Sequence, residues 1–125
     1  MAGSRSFPLS YNRLTRALVA PLAGRHGRVD VDDSHVEVHV GAVFRASIPR
    51  SSIRTAAPWT GRVTGYGAHG WRGTWLVNGS GRGLVALTLQ PDGRGWVTGV
   101  PVRLRELRLS LEDPEGFLAA LEPAG

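Results

Sequence analysis

His26, His35, His39 and His69 are the only imidazoles in the chain, and there is no cysteine. Thiolate nucleophiles, thiolate metal ligands and disulfides are therefore excluded. His35 and His39 lie in an alternating segment, where four residues span about 13 Å of strand, too far for both rings to hold one metal ion. Asp32 and Asp33 adjoin in a turn, where neighbouring carboxylates point apart and cap local backbone donors. The sequence contains no Ser-His-Asp signature, no HExxH and no phosphate loop. Gly65, Gly67 and Gly70 have suggestive spacing, but no helix pattern follows them. These residue types predict no catalytic group, no metal site and no cofactor. The expected protein is not an enzyme.

Binding chemistry is better represented. Residues 58–73 hold five glycines and the rings of Trp59, Tyr66 and Trp71, with Arg62 and Arg72 beside them. Arg50 and Arg54 precede this stretch. Aromatic rings interleaved with guanidinium groups suit a membrane interface, a stacked base or a grasped peptide. The candidate ligand-binding set is therefore Trp59, Arg62, Tyr66, Trp71, Arg72, Arg50 and Arg54. The competing reading has Trp71 and Trp75 folding back to plug the core, since tryptophan is mostly buried on average.

The elements that would position these residues follow from the pattern of apolar residues. The chain has 125 residues, enough for one domain with a real core, and 42% of them are hydrophobic. Seventeen glycines and eight prolines fall between apolar runs, the mark of short strands joined by turns. Val29 and Val31 alternate with polar neighbours, as do Val36, Val38 and Val40, and then Phe44, Ala46 and Ile48. Pro49 ends that run, and Ser51–Ala57 makes a shorter strand. Residues 58–73 read as a long loop. Thr74–Val77 and Gly83–Leu89 read as strands about an Asn78–Gly81 hairpin turn. A further turn is predicted at Gln90–Gly93. The segment Trp96–Leu104 is extended but interrupted by Gly99 and Pro101. Leu107, Leu109 and Leu111 complete the last strand, with a bulge expected at Arg105–Glu106.

Two helices are predicted. Tyr11, Leu14, Leu18 and Leu22 recur at helical spacing within an N-terminal extension, residues 1–26. With Arg13 and Arg16 this helix suits an anionic membrane, the outside of the sheet or a dimer seam. At the other end, Asp113 is a cap, Pro114 opens a helix, and Phe117, Leu118 and Leu121 form its buried face. No apolar run reaches the roughly 20 residues of a membrane-spanning helix, and no secretory leader is evident. The expectation is a cytoplasmic protein, peripheral at the inner membrane face if it meets lipid.

The net charge is +5, carried by arginine alone, for there is no lysine. Residues 1–28 carry +5, residues 29–41 carry −4, residues 42–105 carry +8 and residues 106–125 carry −4. A basic middle framed by acidic segments attracts anions. A lysine-free chain also reads as one that uses arginine as its general solubilising cation.

Residues 27–53 contain VDVDDSHVEVHVG and FRASIPRSSI, and the chain ends with LRLSLEDPEGFLAAL. These stretches resemble the first half, and the last strand and helix, of bacterial pleckstrin-homology-like proteins, including an actinobacterial group. The resemblance implies a mainly β domain over residues 27–125: a split barrel of about seven antiparallel strands capped by a C-terminal helix. It also implies phosphoinositide binding through basic residues around the first turn. Here that turn is Asp32-Asp33-Ser34, which repels phosphate and argues against this ligand. The expected function is a binding or scaffolding module that meets a protein segment or an anionic membrane surface through residues 58–73. An exposed edge strand would suit peptide addition. The alternative is a nucleic-acid-binding protein using the basic middle.

Overall fold

The computed structural model describes residues 5–10, 27–61, 67–71, 73–78 and 82–122. Among them are nine strands and one helix. The strands are β1 (Arg5–Pro8), β2 (Arg28–Val31), β3 (His35–Val40), β4 (Phe44–Pro49), β5 (Ile53–Pro58), β6 (Gly67–Trp71), β7 (Thr74–Asn78), β8 (Leu84–Val97) and β9 (Val100–Ser110). The helix is α1 (Pro114–Leu121). The protein is therefore mainly β with one C-terminal helix. The predicted N-terminal helix lies outside the described residues. Part of the expected extension, β1, instead forms an edge strand of the sheet. No helix among the described residues is long and apolar enough to cross a membrane.

The strands hydrogen-bond in the order β1-β2-β3-β4-β8-β9-β7-β6, with β5 also on β8. All pairs are antiparallel except β7 with β9. The seven-strand, all-antiparallel expectation is thus corrected in number and at that one seam. The parallel pair follows from connectivity, because β8 intervenes in sequence and returns the chain to the same direction for β9.

Alternation works as the sequence predicts. Val29, Val36, Val38, Phe44, Ala46 and Ile48 are all buried, and their neighbours face outward. Four local expectations fail. The strands read as a hairpin about Asn78–Gly81 do not pair, for β9 lies between β7 and β8. The segment Trp96–Leu104 is not one interrupted extended piece, since the chain reverses at Thr98–Gly99. The turn predicted at Gln90–Gly93 does not reverse the chain: β8 continues past it, with the extra residues absorbed as a register shift between Thr88 and Gly93. The long loop 58–73 is interrupted by β6, whose pairing with β7 compensates its glycine content with a ladder. At Arg105–Glu106 both amides donate to the Gly73 carbonyl, at 2.7 and 3.1 Å. One acceptor serving two successive donors is the signature of a bulge. It returns Leu107 to the inward face that Leu104 occupies.

The sheet curls until Leu9 bridges Leu111. Gly83 is needed beside this join: its φ is +64°, and any Cβ would lie 2.0 Å from the Leu111 carbonyl oxygen. α1 then plugs the end of the core. Asp113 accepts from the Gly116 amide at 3.0 Å, Pro114 occupies the first turn, and Phe117 is fully buried. The Phe117 ring meets Phe7 edge-on, with centroids 5.6 Å apart. Burying such a ring contributes about 1.5–3 kcal/mol. The predicted burial of Leu118 and Leu121 is incomplete, for both are only half-buried.

Candidate binding site

The incomplete burial of Leu118 and Leu121 creates a groove. β5 pairs with β8 along one edge and, among the described residues, with nothing along the other. α1 packs against the same strand. Ile53 and Ala56 from the strand and Leu118 and Leu121 from the helix form the apolar floor of a groove of about 450 Å³. Arg50, Arg54, Thr55 and Glu122 complete its walls.

The two arginines have different roles. Arg50 follows β4 in a single 3-10 turn. Its guanidinium donates to the Asp32 carbonyl at 2.9 Å and to the Ala120 carbonyl at 3.2 Å. Ala120 sits in the last turn of α1, where unsatisfied carbonyls favour a cation. Arg50 is thus a clamp joining the β2–β3 turn to the helix end, rather than a free ligand group. Arg54 is exposed and, among the described residues, donates to the Gln90 side chain alone, at 3.0 Å. It is the cation that the groove presents to solvent.

Trp59 turns away from the groove. Its amide continues the ladder to the Leu84 carbonyl, which places the ring on the outer face of the sheet. There the Arg108 guanidinium stacks 4.4 Å from its centroid. Arg108 is held in turn by Glu106. The ring also covers Gly61, where a Cβ would collide with it. Trp59 is therefore half-buried and occupied. Nothing local in the sequence signals its partner, because β9 is brought to Trp59 only by the sheet.

Of the other predicted residues, Arg62, Tyr66 and Arg72 lie outside the described residues. Trp71 ends β6, opposite Thr74. Ile53, Leu118 and Leu121 were absent from the predicted set, since each reads as ordinary core until the groove is seen.

The acidic turn is satisfied internally. The Asp32 carboxylate accepts from the amides of Ser34 at 2.8 Å and His35 at 2.7 Å. These backbone donors, His35 first, hold its carboxyl below the usual value. Asp30 faces Arg28 at 3.1 Å and His39 at 3.6 Å. Its burial pushes its titration upward, but hydrogen bonds from Ser6 and Arg28 and the nearby cationic charge outweigh this and hold it low. Among the described residues, no group of three or more His, Asp or Glu side chains is arranged to hold a metal.

The comparisons with known proteins give no match to a family model, a curated protein or a solved structure.

Proposed function

We propose that this protein is a binding module that takes an extended protein segment along β5. The supporting observation is the coincidence of an open strand edge with a groove whose apolar floor is left by Leu118 and Leu121. An unpaired edge supplies main-chain donors and acceptors, and a neighbouring groove supplies side-chain selection. The segment places apolar side chains on Ile53 and Leu118 and an acidic side chain against Arg54. This relocates the predicted protein contact from residues 58–73 to their leading flank, because Arg54 is presented while Trp59 is occupied by Arg108.

The pleckstrin-homology-like reading of the fold draws support from the curled sheet and the C-terminal helix that plugs it. The parallel β7–β9 pair departs from the all-antiparallel pattern that the resemblance implies.

The test is selection from a displayed library of random peptides, followed by backbone resonance mapping with the enriched sequences. The expected result is an apolar, acid-containing consensus that shifts residues 53–56 and 118–121, with binding weakened by Arg54→Glu. Enrichment of nothing above background, or shifts confined to other surfaces, refutes the proposal.

A further inference from the structure

The opposite end of the sheet from α1 carries a second surface, independent of the β5 groove. There β8 and β9 form a hairpin that turns at Thr98 and Gly99. The Thr98 amide donates to the Val43 carbonyl at 3.1 Å, so the β3–β4 turn lies alongside. The two turns together present Ala42, Val97, Val100 and Pro101. Val100 is 60% exposed, the only large hydrophobic side chain so exposed among the described residues. Its cross-strand partner Val97 still packs against the core, so Val100 marks where the hairpin outruns it.

Arginines surround this apolar end. Arg45, Arg94 and Arg103 are all exposed. The registers Arg45 to Trp96, Trp96 to Pro101 and Arg94 to Arg103 place them on one outer face together with Trp96. The Arg45 guanidinium lies 5.9 Å from the Trp96 ring. Residues 93–105 contain no acid. Among the described residues, Asp92 pairs with Arg103 at 3.2 Å, Glu37 accepts from Ser47 at 2.7 Å, and Asp30 is held by Arg28 and Ser6.

We propose that this end docks on an anionic lipid bilayer, inserting Val100 and Pro101 between headgroups while Arg45 and Arg94 meet the phosphates. The spacing fits. Arg94 stands three residues behind Val97, the cross-strand partner of Val100, about 10 Å along a strand. Peripheral elements bury their apolar parts about 5–10 Å into the headgroup boundary. Trp96 then sits at interface depth, which suits indole. Charge complementarity selects a bilayer surface, because the apolar tip projects ahead of the cations rather than lying among them.

The test is sedimentation of the whole protein with vesicles of phosphatidylserine and phosphatidylcholine, against vesicles of phosphatidylcholine alone. Binding should require the anionic lipid. Each of Arg45→Ser and Arg94→Ser should lower partitioning about five-fold at low salt. Val100→Asp should also weaken it, and so exposed a site leaves folding intact, as a thermal melt checks. Arg54→Ser, in the β5 groove, should change nothing, which separates this surface from the peptide site. Brominated lipid should quench fluorescence in the parent and much less in Trp96→Phe. Equal partitioning onto neutral vesicles, quenching undiminished in Trp96→Phe, or retention of single-stranded oligonucleotide through the same arginines without lipid binding would each overturn the proposal.

Discussion

Arg45 lies near the start of β4 and Arg50 just past its end, yet the fold uses them in opposite ways. Arg50 is drawn inward, spanning two carbonyls that the β2–β3 turn and α1 leave without partners. Arg45 stays outward beside Trp96 and, among the described residues, forms no ion pair. The end near Arg50 is sealed by the helix, and the end near Arg45 is where the strands outrun the core. An arginine becomes structural where the backbone offers spare acceptors and remains available where the ladders have used theirs. Residue type alone does not distinguish the two.

The largest expected effect concerns the sealed end. Phe117→Ala should cost about 3–5 kcal/mol in chemical denaturation, as a fully buried ring lost from a packed site does. A cost under about 1 kcal/mol, the scale of a surface change, would mean that the helix does not seal the core. Next comes the arginine contrast itself. Arg50→Met should cost about 1–3 kcal/mol, because two partly buried carbonyls lose their donors. Arg45→Met should stay within about 0.5 kcal/mol, as a surface substitution away from packing. Equal costs would dissolve the distinction. Trp59→Leu should follow at about 0.5–1 kcal/mol from the lost stacking on Arg108, with reduced protection of the remaining tryptophans near β9 from acrylamide.

The smallest effect is on pH dependence. Asp30 and Asp32 titrate lower in the folded chain than unfolded. The folded state therefore binds these protons less readily. Their stabilisation is complete above the unfolded carboxylate range, about pH 4, and is lost as pH falls through the lower folded values. Asp30→Asn should flatten that acid-side decline in thermal melts. An unchanged slope would show that the Arg28 and His39 pairing contributes nothing.

Much of the sheet was legible because inward and outward residues alternate with a period of two. The helix was legible because Asp113, Pro114 and Phe117 each state their role locally. The Gln90–Gly93 turn was misread because Pro-Asp-Gly carries turn chemistry, but the pairing of β8 with β9 on both sides holds it extended. β6 was missed because its glycines carry no apolar alternation, and only β7 makes it a strand. Of the candidate site, Arg50 and Arg54 were found by charge, but their contrast was not. It depends on which carbonyls the helix end leaves unpaired.

The sequence by itself determined a lysine-free, cysteine-free chain with alternating strands, an acidic first turn and a capped C-terminal helix. Each of these is a local property, set by side-chain chemistry and near-neighbour spacing. The tertiary structure decided what is open and what is closed. It brought Arg108 to Trp59, packed α1 against β5, and left Val100 beyond the core. Those outcomes depend on strand order and on where each ladder ends. They join residues far apart in the chain, which no local pattern encodes.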